Sequence, residues 1–152
     1  MNETVHFILT GGTIDSRYDG YFDTVVPRDH SILPAYVDGL KLDASVVFTE
    51  VCMKDSRTMS DEFRSQVVEV IANAPESRFV VTHGLYTMGD TAAYLKSHLA
   101  KSEKSIALVG SLVPIDGFAL SDGGFNLGYA FAQICTLAPG VYVCANGVTL
   151  SQ

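Results

Sequence analysis

Val5-His6-Phe7-Ile8-Leu9-Thr10-Gly11-Gly12-Thr13-Ile14 is the stretch on which the fold turns. From Val5 to Leu9 the residues are apolar and partly β-branched, as a strand buried on both faces of a sheet requires. The two glycines that follow let the backbone turn sharply and approach another group closely. Thr13 is thereby placed at the carboxyl end of a first strand, the edge at which open α/β sheets bind their ligands. A small hydroxyl held there suits a nucleophile or a hydrogen-bond donor. It equally suits a turn threonine that satisfies neighbouring backbone groups.

Further β-rich runs recur at residues 46–51, 79–82, 106–110 and 141–145, with helical patterns between several of them. In residues 60–74, Phe63, Val67, Val70, Ile71 and Ala74 share one face, Ser60 is placed as N-cap, and Asp61 and Glu62 fall in the first turn. Thr87-Met88-Gly89-Asp90 has capping-box spacing and starts a helix through Leu95 and Leu99 to about Lys101. Asp122 caps a third helix over residues 123–137, whose Phe125, Leu127, Ala130, Phe131, Ile134 and Cys135 leave little polar face. This alternation predicts an α/β fold, a doubly wound, mostly parallel sheet with helices on both faces. Residues 15–27 are polar and turn-rich around Asp19-Gly20 and predict a hairpin or flap beside Thr13, carrying Tyr18 and Tyr21.

Composition narrows the partners. The chain has 152 residues, 47% of them hydrophobic and 18% charged, which predicts a single domain over residues 1–152 with a sizeable core. A net charge of −7 with ten dispersed Lys and Arg argues against a phosphate-tracking nucleic-acid binder. Cys52, Cys135 and Cys144 have no CxxC spacing and read as reduced core residues of a cytoplasmic protein. Met1-Asn2-Glu3-Thr4 carries no basic n-region and Val5 to Leu9 is too short for a signal core or a membrane span, so no leader or membrane anchor is expected. His6, His30, His83 and His98 are scattered without metal-ligand spacing, and no GxxxxGK[ST], GxGxxG or GxSxG motif occurs, so neither metal nor cofactor is expected. A small-molecule or protein partner is expected, with no nucleic acid and no membrane.

Four loops should meet at the carboxyl edge of the sheet: residues 10–14, 54–59, 82–88 and 110–114. Together they offer the hydroxyls of Thr13, Ser56, Thr87 and Ser111, the imidazole of His83 and backbone N–H groups beside Gly11, Gly12 and Gly84. Such a set suits a polar ligand bearing a carboxylate or amide. Lys54 and Arg57 flank Ser56 as a carboxylate attractor or as solvated loop charges.

Thr10-Gly11-Gly12-Thr13-Ile14, Asp55-Ser56-Arg57-Thr58-Met59 and Thr82-His83-Gly84-Leu85-Tyr86-Thr87-Met88-Gly89-Asp90-Thr91-Ala92 occur in this order. They are followed by Val109-Gly110-Ser111 and Ser121-Asp122-Gly123-Gly124-Phe125-Asn126-Leu127. The combination resembles the N-terminal domain of bacterial-type L-asparaginases and glutaminase-asparaginases. The resemblance spans nearly the whole chain, and the family's smaller C-terminal domain is expected to be absent. It implies a threonine nucleophile at Thr13, a flap tyrosine at Tyr18 or Tyr21 that activates it, and Ser56 as the holder of the substrate carboxylate. Gly12, Arg57, Gly84, Leu85, Tyr86 and Ser111 complete the implied binding set for a small-molecule amide or amino-acid ligand, and a homo-oligomer is implied as well. Phe118 and Leu120, in the loop of residues 115–121, are candidate contacts for it.

This chain departs from that pattern in its His83-Gly84-Leu85-Tyr86-Thr87 block. Leu85 stands where the family has a catalytic threonine, and Tyr86 where it has an aspartate that binds the substrate ammonium. The family's lysine is expected near Leu137, where no basic residue lies, so that Leu85 and Leu137 would pack together in place of a proton relay. Two readings follow. One is an amidohydrolase acting on the side-chain amide of L-asparagine or a related small amide, with a degraded catalytic set. The other is a catalytically inactive module that binds a small ligand or a protein. A serine-type site built from Ser111 and His83 is a third arrangement.

Overall fold

The computed structural model describes residues 3–117 and 119–152; Met1, Asn2 and Phe118, the last with its suggested oligomer contact, lie outside the described residues. In chain order the strands and helices are β1 (Val5–Gly11), β2 (Ser16–Asp19), β3 (Thr24–Pro27), α1 (Leu33–Gly39), β4 (Val46–Lys54), α2 (Asp61–Asn73), β5 (Arg78–Thr82), α3 (Met88–Leu99), β6 (Ser105–Val109), α4 (Gly123–Ile134), β7 (Gly140–Ala145) and β8 (Val148–Ser151). Short 3-10 turns lie at Thr13–Asp15 and Ser56–Thr58.

All seven residues of β1 are buried, because it is flanked by parallel β4 and β5 and covered on both faces. The six-stranded sheet runs β4-β1-β5-β6-β7-β8, parallel except for β8. The two-residue period of a strand sorts its side chains into two cores. Val5, Phe7 and Leu9 join Val80, Ala107 and Val109 beneath α1 and α4. Ile8, Phe79, Val81, Ile106 and Leu108 pack on the other face against Val67, Ile71, Ala92 and Leu95 of α2 and α3. The doubly wound α/β architecture read from the sequence is therefore the observed one.

Two elements were not read from the sequence. The seven-residue α1, with Pro34 in its first turn, is too short for helical periodicity to stand out. The antiparallel β8 follows Asn146-Gly147, where both residues have positive φ (52° and 75°), a hairpin signal the sequence reading left unused. The hairpin expected in residues 15–27 forms as β2 and β3. The helices α3 and α4 stop at Leu99 and Ile134, short of their expected ends.

The capping assignments need correction. Ser60, Thr87 and Asp122 each precede their helices without a side-chain capping bond. Thr87 donates its hydroxyl to the Ser56 carbonyl at 2.7 Å. The Asp122 carboxylate accepts from the backbone N–H groups of Leu112 and Val113, both at 2.9 Å. Both side chains satisfy neighbouring loop backbone instead of their own helix end, a tertiary demand that local spacing does not reveal. Of the cysteines, Cys144 is buried and Cys52 half-buried, but Cys135 is exposed and is no core residue. No described helix is long and apolar enough to cross a membrane.

Candidate functional site

The strand order reverses between β4-β1 and β5-β6, and at such a switch point adjacent strand-end loops diverge and leave a crevice. A cleft of about 570 Å³ opens there. Its walls come from the loop after β1 (Gly12, Thr13), the loop after β4 (Asp55, Ser56, Arg57), the loop after β5 (Gly84, Leu85, Tyr86) and the loop after β6 (Ser111, Leu112), with Thr24 and Val25 of the hairpin. All four loops expected at this edge meet.

Two glycines make the meeting possible. Gly12 has φ 80° and ψ 175°, a region that side chains do not tolerate. A Cβ on it would stand 2.4 Å from the Gly84 nitrogen. Gly84 in turn lies against Ser56, since a Cβ there would meet Ser56 Oγ at 2.5 Å. Ser56 is 2% exposed, and its hydroxyl has no partner among the described residues. A buried hydroxyl in that state is costly unless a ligand or water satisfies it.

Behind the cleft lies a directed chain of hydrogen bonds. Fully buried His83 is held neutral, burial pushing its pKa below the usual imidazole value. In that state Nδ1–H donates to the Gly84 carbonyl at 2.7 Å, and Nε2 accepts from the Thr91 hydroxyl at 2.8 Å. Thr91 Oγ1 accepts from Arg64 Nε at 2.9 Å, and Arg64 also pairs with Asp61 at 2.8 Å. Both imidazole nitrogens are thus engaged, and the Ser111 hydroxyl donates to the Val113 carbonyl at 2.7 Å. The Ser111–His83 arrangement is therefore not formed.

The charges at the rim are already paired. Arg57 donates from Nε to both Asp55 oxygens at 3.0 and 3.1 Å, and from a terminal nitrogen at 2.5 Å. These bonds hold the Asp55 carboxyl below the usual carboxylate range. The same guanidinium lies 5.1 Å from the centroid of the Tyr86 ring, while the Lys54 ammonium lies over Phe63. Among the described residues no group of three or more His, Cys, Asp and Glu is arranged to hold a metal.

Of the residues singled out in the sequence, Gly12, Thr13, Ser56, Arg57, Gly84, Leu85, Tyr86 and Ser111 all line the cleft. Tyr18 and Tyr21 do not. Tyr18 donates its hydroxyl to Asp23, which raises its pKa, and Tyr21 is 90% exposed. Thr24 and Val25, from the same hairpin, line the cleft instead, and together with Asp55 and Leu112 they escaped the sequence reading. Membership of the flap for Thr24 and Val25, and adjacency to Ser56 and Ser111 for Asp55 and Leu112, are the signals that could have found them.

Leu137 is removed from the site altogether. Its carbonyl accepts from Ser105, the first residue of β6, so it lies at the opposite edge of the sheet from Leu85. The Leu85 side chain lies toward Gly110, and the expected packing of the two leucines does not exist. The resemblance that set Leu137 beside Leu85 does not hold in space, because α4 runs back toward the amino ends of the strands and Leu137 follows it there.

Comparison with known proteins gives a consistent assignment. The family described as "Asparaginase, N-terminal" matches residues 4–151. A glutamyl-tRNA(Gln) amidotransferase subunit of Thermococcus kodakarensis is 30% identical over 96% of this chain and 34% of its own length. Its counterpart from Saccharolobus solfataricus is 31% identical over 81% and 28% respectively. Among solved structures, a probable cytoplasmic L-asparaginase from Campylobacter jejuni superposes with a TM-score of 0.77 at 28% identity, covering 98% of this chain and 48% of that one. The chain thus spans about a third of the curated relatives and about half of this solved structure. With its strand order, its switch-point cleft and a family match over almost every residue, the chain belongs to the asparaginase family, in the part described as N-terminal.

Proposed function

We propose that this chain carries an amidohydrolase site for a small carboxamide, with Thr13 as nucleophile and turnover of free L-asparagine weak. The observation that carries the reading is the cleft itself. Thr13 sits on a glycine turn in the same crevice as Ser56, whose buried hydroxyl has no partner among the described residues. The names of the relatives, asparaginase and amidotransferase, both denote chemistry at an amide.

In this reading Thr13 Oγ1 attacks the amide carbon as its proton leaves, and backbone N–H groups near Gly84 hold the oxyanion. The C–N bond breaks and the nitrogen departs as ammonia, taking up the proton. Water then cleaves the ester, giving the acid and free Thr13. Tyr18 or Tyr21 relays the hydroxyl proton, its phenol oxygen accepting it from Thr13 while its own hydroxyl proton passes to the leaving nitrogen, only after the hairpin moves over the cleft, which makes hairpin closure a step of the proposed cycle.

Leu85 and Tyr86, standing where the family has a threonine and an aspartate, support a second reading, a binding module without turnover. Ammonia release separates the two. Purified protein is assayed against L-asparagine and a panel of primary amides, beside Thr13→Ala with matched thermal melts. Hydrolysis of at least one amide, lost in Thr13→Ala, supports the enzyme. L-asparagine turnover stays below the range of typical enzymes, about 1 to 10³ per second. Equal hydrolysis by a folded Thr13→Ala protein refutes Thr13 as nucleophile, and no hydrolysis of any amide favours the binding module.

A further inference from the structure

The cleft lining is of two kinds. Ser56, with its buried hydroxyl unpartnered among the described residues, and Arg57 are polar. Val25, Leu85, Tyr86 and Leu112 present apolar surface, each at least a third exposed. Among the described residues Asp55 is the only carboxylate in the lining, and Arg57 occupies both its oxygens. Tyr86 offers a ring face that attracts cations, but the same guanidinium already lies against it.

A ligand ammonium entering this cleft would therefore lose water, find no unpaired carboxylate among the described lining residues, and meet the like charge of Arg57 beside the Tyr86 ring. An uncharged apolar group would bury surface against Leu85, Tyr86 and Leu112. We infer that the cleft takes small carboxylate- or carboxamide-bearing molecules whose remaining substituent is apolar or aryl, and that Tyr86 with Leu85 excludes free α-amino acids. The inference rests on the same cleft as the proposed amidohydrolase reading, but it concerns binding alone.

Equilibrium binding tests it without any need for turnover. Calorimetric titration of the intact protein compares L-aspartate, succinate and 2-phenylsuccinate, which share a dicarboxylate frame and differ in carrying ammonium, hydrogen or phenyl at one carbon. The expected order is 2-phenylsuccinate tightest, then succinate, with L-aspartate weaker than succinate by at least about tenfold. Tyr86→Asp should reverse the preference between succinate and L-aspartate, and its thermal melt checks that the loop is still folded. L-aspartate binding as tightly as succinate overturns the inference, as does failure of all three to bind. If the binding order holds while no amide is hydrolysed, the hydrolase reading falls and the selectivity stands. If L-asparagine is turned over and L-aspartate binds best, the selectivity falls and the hydrolase stands.

Discussion

Replacing Gly12 by alanine tests whether the two central loops are held together by close backbone contact. Two costs add. A side chain at φ 80°, ψ 175° is strained by about 1–3 kcal/mol. The added Cβ would stand 2.4 Å from the Gly84 nitrogen, 2.6 Å from the His83 carbonyl carbon and 2.8 Å from the Gly84 Cα. All three are backbone atoms of a loop tied down by His83, so no side chain can swing aside. Overpacking of this kind costs about 1–3 kcal/mol more, for about 2–6 kcal/mol in all. For a chain of this size, about 2–4 °C is lost per kcal/mol, so the thermal midpoint should fall by about 4–24 °C. Circular dichroism melts of Gly12→Ala and Gly39→Ala provide the comparison, since nothing lies within 4 Å of a Cβ at Gly39. A Gly12→Ala protein melting within a degree or so of the parent would refute the contact.

The interior hydrogen bonds make further predictions. Thr91→Val leaves buried His83 Nε2 without its donor and should cost about 1–3 kcal/mol, read as a lower urea midpoint; an unchanged midpoint would mean that the chain from Arg64 is not formed. Asp15 is buried at the root of the hairpin and accepts from the Ile32 N–H at 2.9 Å, and burial raises its pKa above the ordinary 3.8. Its folded form holds the proton more tightly than its unfolded form, so its contribution is complete below pH 3.8 and is lost as pH rises through the raised value. Asp15→Asn should therefore gain on the parent in urea midpoint as pH rises from 3 to 7; a variant that instead gains on the parent as pH falls would contradict this. Burial pushes the Cys52 thiol up to about 11 and also raises that of buried Cys144, whereas Cys135 is exposed. Alkylation at pH 8, followed by mass spectrometry, should modify Cys135 first, and labelling of Cys144 before Cys135 would contradict the burial pattern.

The parallel sheet and most of the site were legible because both lie in short runs whose chemistry is local. A buried strand announces itself by its apolar run, and a glycine turn by its glycines, which is why Val5 to Thr13 pointed to the cleft without any structure. What escaped depended on partners distant in sequence. Thr87 and Asp122 have the chemistry of helix caps, but the loops carrying Ser56 and Leu112 compete for them. Leu137 was placed by resemblance to the family's lysine position, which carries no information on the direction in which α4 returns across the sheet. Tyr86 and Arg57 are separated by 29 positions, and nothing in either neighbourhood foretells that one ring and one guanidinium satisfy each other.

The buried imidazole also fixes a direction. A trans peptide sets its N–H opposite its C=O, and no cis peptide is present among the described residues. Because the Gly84 carbonyl is turned toward His83 Nδ1, the amide hydrogen of Leu85 is turned away from the interior. The orientation of that one donor is thus referred back through His83 and Thr91 to Arg64, and through Arg64 to its ion pair with Asp61 in the first turn of α2. A charge on the outer face of a helix acts as the far end of a lever on a single backbone bond, and the aim of the loop can be altered from a position that no ligand touches.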